Sequence, residues 1–142
     1  MSALKEKLSM SIPDYVCATS LPQASTLAIS ARALGMTFGP ILQDYLSTFG
    51  YLGRGSVELY GINERQGLNS DLVKTSLNVQ EYQPACEGYA VIDNRGDGEY
   101  VLCDAQDQLF VMPDSPRGRP KSLGLRLDDY IIIRLKGQKS VS

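Results

Sequence analysis

The chain has 142 residues, of which 43% are apolar and 21% charged, and its net charge is −2. This length fits one domain with a buried core, and no apolar run approaches the ~20 residues that a membrane-spanning helix needs. Histidine is absent, which excludes His-containing zinc sites, Ser–His and Cys–His nucleophile pairs and histidine general bases. An enzyme that depends on carboxylates or lysine alone stays open at this point. We expect a single domain over residues 1–142 with no metal and no cofactor.

Cysteine usage and the N-terminus bear on the compartment. The cysteines Cys17, Cys86 and Cys103 are an odd and scattered set, which favours reduced thiols over a disulfide framework. The N-terminal sequence MSALKEKLSM lacks the apolar core and the cleavage site of a secretory signal. Both features predict a cytoplasmic protein.

The first elements in chain order are helical. Residues 1–12 are expected to form a short helix or a frayed arm. Residues 22–34 carry apolar side chains at helical spacing, with Pro22 suited to the first turn and Gly35 to a left-handed stop. These signals predict an amphipathic helix.

A second amphipathic helix follows at residues 40–49. Pro40 suits its first turn, its apolar residues form one stripe, and Gly50 suits its end. After a glycine-rich stretch, residues 57–62 (VELYGI) alternate between apolar and polar side chains, which predicts a strand. Residues 69–82 then predict a third helix, because Asn69 or Ser70 can serve as its N-cap.

The second half of the chain is rich in β-forming residues. Residues 89–93, 99–104 and 109–112 are three short runs joined by polar connectors, which predicts an antiparallel meander. Prolines and a glycine predict a loop at 113–122. Residues 127–137 are ambiguous, since three isoleucines favour a strand while acids at the start and bases at the end favour a helix, which we expect.

The stretch DNRGDGEYVLCD, residues 93–104, nearly matches a calcium-binding loop. Calcium would need an oxygen donor at the third position, where Arg95 stands, and would need helices on both sides. The flanks here read as strands. Gly96 and Gly98 suit the positive φ angles of a tight turn, and Asp97 suits a side-chain cap. We predict a hairpin turn at this position.

Charge is unevenly distributed along the second half. Residues 81–114 hold eight of the sixteen acids and a single base, Arg95, whereas residues 117–139 hold seven of the fourteen bases. This pattern is compatible with an acidic face for a basic partner, and equally with a solvated surface that has none. The basic segment is explained by helix C-terminal charge and solubility without invoking nucleic acid.

The order of these elements resembles the SUKH superfamily, which includes the Smi/Knr cell-wall-regulator relatives and many bacterial immunity proteins. The resemblance spans roughly residues 20–135. Its matching pieces are ARALGMTFGPILQDYLSTFG (31–50), GSVELYGI (55–62), DLVKTSLNVQ (71–80) and VIDNRGDGEYVLCD (91–104).

The resemblance implies a single α+β domain with a mostly antiparallel sheet flanked by helices. It also implies stoichiometric binding of a cognate protein toxin, often a nuclease or deaminase, and carries over no catalytic residue. One alternative is a regulatory scaffold of the Smi/Knr type with several weak partners. A second alternative is an enzyme that uses Asp or Glu alone, which would need two carboxylates with separated pKa values.

The partner surface is expected to combine carboxylates with tyrosines. Carboxylates can occupy the basic cleft of a toxin that acts on nucleic acid, and tyrosines can anchor the contact. The competing reading places the tyrosines in the core or half-buried on strands. We expect a monomer or weak dimer with no direct contact to nucleic acid or membrane. The candidate partner-binding residues are Glu58, Tyr60, Asp93, Asp97, Glu99, Tyr100 and Asp104.

Overall fold

A computed structural model describes residues 2–96, 98–113 and 118–137 of the chain. These ranges contain five α-helices and two antiparallel sheets, which confirms the predicted α+β class. The helices are α1 (Ala3–Ser11), α2 (Ala24–Ala33), α3 (Pro40–Phe49), α4 (Asp71–Tyr82) and α5 (Leu127–Lys136). The strands are β1 (Val16–Cys17), β2 (Leu52–Arg54), β3 (Val57–Glu58), β4 (Ala90–Asn94), β5 (Tyr100–Cys103), β6 (Gln108–Val111) and β7 (Lys121–Arg126).

The strands form two sheets where a single one was expected. β1, β2 and β3 make a small sheet, and β4 to β7 make a four-stranded meander in chain order. The N–H of Tyr60 joins the two by donating to the carbonyl of Ile92 at 2.8 Å. The predicted strand 57–62 is cut to two residues, because the chain turns to pass against Gly50. A Cβ atom at Gly61 would lie 1.7 Å from the carbonyl oxygen of Gly50.

The central helix α3 agrees closely with its sequence pattern. Pro40 occupies the first turn, and Gly50 ends the helix with a φ of 73°. The buried side chains of α3 lie on one stripe: Leu42, Tyr45, Leu46 and Phe49. The stripe lies in the core of the molecule, and α1, α2 and α5 pack against α3.

Helix α2 begins two residues later than predicted. The carboxylate of Glu64 accepts hydrogen bonds from the N–H of Gln23 at 2.7 Å and the hydroxyl of Thr26 at 2.6 Å. This distant carboxylate caps the helix at Gln23, so Pro22 lies outside its first turn. Gly35 follows the helix with a φ of 67°, as its predicted left-handed stop requires.

A buried carboxylate holds the start of α3. Asp107, in the turn between β5 and β6, accepts hydrogen bonds from the N–H groups of Ile41 and Leu42, both at 2.9 Å. Its main-chain oxygen also accepts from the N–H of Leu127 at the start of α5. The approach is close enough that a Cβ atom at Gly39 would lie 2.6 Å from the Asp107 carboxylate. One residue therefore joins the meander to two helices.

Both helix predictions at the chain ends are confirmed. Helix α1 buries Leu4 and Leu8 against the core, which confirms a short helix at 1–12. Helix α5 has Asp128 and Asp129 in its first turn and basic residues in its last turn, and charges of these signs stabilise the helix dipole. This stabilisation outweighs the strand propensity of its isoleucines. Along the described parts of the chain, no helix has both the length and the apolar character needed to cross a bilayer.

The meander contains one strand more than predicted. β7 begins at Lys121, inside the expected 113–122 loop, of which residues 114–117 lie outside the described ranges. β7 is an edge strand interrupted by Gly124 at a φ of 68°, and only Leu123 and Leu125 reach the core. The strand has only these two apolar side chains, and a glycine lies between them, so its sequence signal is weak.

Candidate functional site

The two faces of the four-stranded sheet carry different side chains. Alternate residues of β4, β5 and β6 point to the main core, and these are Ala90, Ile92, Val101, Cys103 and Leu109. On the outer face, Val91 pairs with Leu102, and Leu102 pairs with Phe110. The next row holds Asn94 and Tyr100, which pair directly.

Helix α4 covers only part of this outer face. The hydroxyl of Ser76 accepts a hydrogen bond from the N–H of Val91 at 2.8 Å, which seats the helix on the edge of the sheet. Val79 and Cys86 then pack on Val91 and Leu102. Beyond this cover a group of large side chains remains partly exposed, and we call it the aromatic face: Tyr60, Tyr82, Tyr89, Tyr100, Phe110 and Met112.

Five side chains of the aromatic face pack against one buried cluster, and these are Tyr60, Tyr89, Tyr100, Phe110 and Met112. The rings of Tyr89 and Phe110 meet edge to face with centroids 5.2 Å apart. Tyr60 and Tyr100 both pack against the cluster of Val79, Cys86, Val91 and Leu102. Tyr82, at the end of α4, is 54% exposed. Tyr60 and Tyr100, both predicted as partner-binding residues, are therefore brought together on one surface.

Tyr60 is held rigidly at the junction of the two sheets. Its N–H donates to Ile92 of β4, and its carbonyl accepts the hydroxyl of the buried Tyr45 at 2.6 Å. The side chain of Asn94 hydrogen-bonds its hydroxyl. Burial raises the pKa of Tyr60, and the neighbouring Tyr100 and the carboxylates of Asp71 and Asp93 raise it further.

Carboxylates influence two tyrosines of the aromatic face. Burial raises the pKa of Tyr89, and the carboxylate of Asp104 adds to this rise. Tyr82 stands at the C-terminal end of α4, whose last turn contains no basic residue. The C-terminal end of a helix carries a partial negative charge. The end of α4 therefore adds partial negative charge to the negative charge of the carboxylates.

Asp93 is not part of any exposed surface, and its prediction as a surface contact is corrected. Its side chain is 2% exposed. The hydroxyl of Tyr130 donates to the Asp93 carboxylate at 2.5 Å, and the Nε of Arg134 donates to it at 2.8 Å. The ladder between β4 and β5 is irregular just before Asp93, and α5 lies over the carboxylate. Asp93 therefore binds α5 to the sheet.

Among the described residues, the acidic candidates Glu58 and Glu99 have different surroundings. Glu58 is exposed on β3, in the small sheet, where it lines a narrow cleft of about 120 Å³ with Asp71. Glu99 is exposed but forms an ion pair with Arg95 across the hairpin turn. Asp97, the predicted cap of that turn, lies outside the described residues.

Asp104 has a double role. One oxygen of its carboxylate accepts the N–H groups of Gln106 and Gln108, both at 2.9 Å, and so shapes the turn between β5 and β6. The side chain remains partly exposed and lies near Tyr89. Asp104 is thus a predicted carboxylate of the meander that influences a tyrosine of the aromatic face.

Four residues of the aromatic face were missed from the sequence: Tyr82, Tyr89, Phe110 and Met112. The alternation within the two predicted strands already places Tyr100 beside Leu102 and Phe110 beside Met112 on one face. Tyr89 begins the predicted strand 89–93, where the same alternation places it on the face of Val91. Tyr82 comes from α4, and no strand alternation places it relative to that face.

The hairpin of residues 93–104 has the geometry of a turn. Gly96 and Gly98 have φ angles of 117° and 75°, and the side chain of Asn94 accepts the N–H of Gly96. Among the described residues, no three His, Cys, Asp or Glu side chains gather where they could hold a metal ion.

No protein-family model matches the chain, and no curated protein sequence matches it either. Membership of the SUKH superfamily stays a prediction from the sequence motifs.

Proposed function

We propose that the protein is a non-catalytic binding domain that holds one protein partner in a stoichiometric complex. We propose further that this partner is a cognate bacterial toxin, as the resemblance to the SUKH immunity proteins implies. The observation that carries the proposal is the aromatic face, on which two of the predicted contact residues, Tyr60 and Tyr100, meet four further large side chains.

The composition of the aromatic face suits a protein interface. Tyrosine is enriched among the residues that contribute most to binding, because a large ring is immobilised at low cost in conformational entropy. Four of the six side chains are tyrosines. All of them are large enough to bury substantial area, and a standard interface buries about 800 Å² on each partner.

The support beneath the aromatic face suits a surface that is already in its binding conformation. The strands that carry Tyr100 and Phe110 are packed on their other side against the main core. Tyr60 is fixed through both of its main-chain groups. A rigid surface loses little entropy on binding, which raises affinity for a given contact area.

The charge of the aromatic face suits a toxin that acts on nucleic acid. Such a toxin carries a basic cleft, and complementary charge accelerates association to ~10⁸–10⁹ M⁻¹s⁻¹ at low salt. The proposal includes a cytoplasmic location, where an immunity protein meets its toxin. The three cysteines Cys17, Cys86 and Cys103 are free thiols, in keeping with a reducing compartment.

The test is affinity purification of the tagged full chain from its native host, at moderate and at high salt. We expect one partner, in equimolar amount by light scattering, whose toxicity on expression is abolished by co-expression of this chain. Tyr82→Ala should weaken the complex, and Leu77→Ala, an exposed side chain elsewhere on α4, should leave it intact.

Several partners in substoichiometric amounts would replace this proposal with the Smi/Knr type of scaffold. A stoichiometric partner that has no toxicity of its own would overturn the immunity role.

A further inference from the structure

Strand β1 lies at an outer edge of the small sheet. It pairs with β2 through Val16 and Cys17, whose partners are Gly53 and Leu52. Both residues of β1 are exposed, and Val16 is 58% exposed. A strand at the edge of a sheet presents main-chain groups to which a further strand can bind.

Two hydrogen bonds show which main-chain groups of β1 point outward. The N–H of Ala18 donates to the carbonyl of Phe49 at 2.9 Å, so this N–H points into the fold. The carbonyl of Leu52 accepts the N–H of Leu59 at 2.8 Å, so the main-chain groups of Leu52 point away from β1. Because these groups alternate in direction along a strand, the N–H and carbonyl of Cys17 point to the open edge. Within the described part of the chain, neither group of Cys17 has a hydrogen-bond partner.

The two edges of the four-stranded sheet are protected, whereas β1 is not. At the β4 edge, the N–H of Val91 already donates to the hydroxyl of Ser76 at 2.8 Å. At the other edge, β7 begins with Lys121, its pairing with β6 is irregular, and the N–H of Gly124 donates to the hydroxyl of Ser122. A lysine and a bulge both hinder the pairing of a further strand. The two residues of β1 carry no charge, and their pairing with β2 is regular.

We propose that the open edge of β1 receives an extended segment of the protein partner, which joins the small sheet as a further strand. Hydrogen bonds to the main chain of Cys17 hold the segment, and an apolar residue of the segment lies opposite Val16. Beside Val16, Gly53 has no side chain and lines a cavity of about 270 Å³, which has room for a long side chain of the segment. The inference deepens the proposed function and rests on it.

An extended segment of another protein fits this edge better than a second copy or a helix does. Strand β1 is two residues long, and Pro13 has no N–H with which to lengthen the edge. A standard interface buries about 800 Å² on each partner, which two such short strands do not provide. A helix has its main-chain groups paired internally, so it would leave the N–H and carbonyl of Cys17 without hydrogen bonds.

The test uses the capped peptide acetyl-Lys-Thr-Val-Thr-Glu-amide as a probe, with a counterpart that is N-methylated at both threonines. The full chain carries ¹⁵N, so that each main-chain amide is observed. We expect saturable shifts and slower hydrogen exchange at Cys17 with the first peptide, and neither effect with the methylated one, which has lost the two N–H donors. The amide of Leu59 is the internal control, because its hydrogen bond to Leu52 is already present. Equal binding of the two peptides, or no saturable binding at Cys17, would overturn the inference.

Proline substitution tests the direction of the Cys17 N–H. Proline is tolerated in an edge strand where the missing N–H faces solvent, so Cys17→Pro should fold, whereas Val16→Pro should be destabilised because its N–H points to β2. Cys17→Pro should bind the peptide about 3- to 10-fold more weakly, since one hydrogen bond is lost. Cys17→Ala is the matched control and should bind like the unsubstituted chain. If Cys17→Pro did not fold, its N–H would be needed within the fold, and the inference would be overturned.

The inference and the proposed function fail separately. A stoichiometric toxin partner that binds Cys17→Pro as tightly as the unsubstituted chain keeps the function and overturns the inference. A peptide that binds at Cys17 as expected, with no stoichiometric partner in the host, supports the open edge as a binding site and overturns the function.

Discussion

The inner and outer faces of the four-stranded sheet are built from the same strands and do different work. On the inner face, Ile92, Val101 and Leu109 are almost completely buried, and the buried Asp93 carboxylate is satisfied by two donors. On the outer face, Val91 and Leu102 are buried, whereas Tyr100 and Phe110 are partly exposed. The difference indicates that the inner face is wholly part of the core, whereas the outer face is buried only where Val79 and Cys86 cover it.

Substitution of Asp93 should produce the largest loss of stability. Asp93→Ala leaves Tyr130 and Arg134 without their acceptor, and we expect a loss of about 3 kcal/mol because removing one partner of a buried pair strands the other. Urea denaturation measures this loss. Asp93→Asn should lose less. If Asp93→Ala kept full stability and lost partner binding, the assignment of Asp93 to the inner face would be wrong.

Substitution of Asp107 should follow in size. Asp107→Ala removes the acceptor for two buried N–H groups at the start of α3, which costs about 1–3 kcal/mol in the free energy of unfolding. Asp107→Asn is the matched control, since asparagine also tolerates a φ of 61° and retains one acceptor oxygen. Equal losses in the two variants would show that the carboxylate does not cap α3.

The inner face should also make the fold sensitive to alkali. Burial raises the pKa of Tyr130, and its hydrogen bond to Asp93 raises it further. A raised pKa in the folded state gives stability that is complete below the unfolded value of about 10 and is lost as the pH rises above it. Near pH 11, the alkaline loss of stability should be about 1 kcal/mol smaller in Tyr130→Phe than in the unsubstituted chain. The measurement is the slope of the unfolding free energy against pH in the two proteins. An equal slope in Tyr130→Phe and in the unsubstituted chain would contradict the prediction.

Substitutions on the aromatic face should affect stability least. Tyr82→Ala truncates an exposed side chain, so the free energy of unfolding should change by no more than about 0.5 kcal/mol. The same variant should weaken the partner complex by about 10-fold, as for an interface anchor. Calorimetric titration with the purified partner measures the affinity, with Leu77→Ala as the control. A large loss of stability would mean that the outer face also maintains the fold.

Local signals predicted α3 and the meander well. Pro40, Gly50 and the apolar stripe between them are short-range features, and short-range features act before any distant contact forms. The start of α2 was misplaced because its cap is Glu64, some forty residues away. The small sheet was missed because its strands are two or three residues long, too short to show a period.

The candidate site also combines residues that the local sequence predicts with residues that only tertiary contacts bring in. Tyr60 and Tyr100 were predicted individually, and strand alternation indicates which way Tyr100 points. No sequence period relates Tyr82 to Tyr100, because α4 meets the sheet through a tertiary contact at Ser76. Acidic clustering along the chain was a poor guide to the surface, since a carboxylate such as Asp93 can turn inward wherever a buried donor awaits it.

The sequence by itself determined the α+β class, the principal helix stops and the absence of histidine chemistry, because each depends on residue type and local spacing. The tertiary structure decided which carboxylates are buried, how the two sheets join at Tyr60, and which aromatic side chains share a surface. Those outcomes depend on contacts between residues distant in the chain. Their geometry is set when the core packs, so no local pattern encodes it.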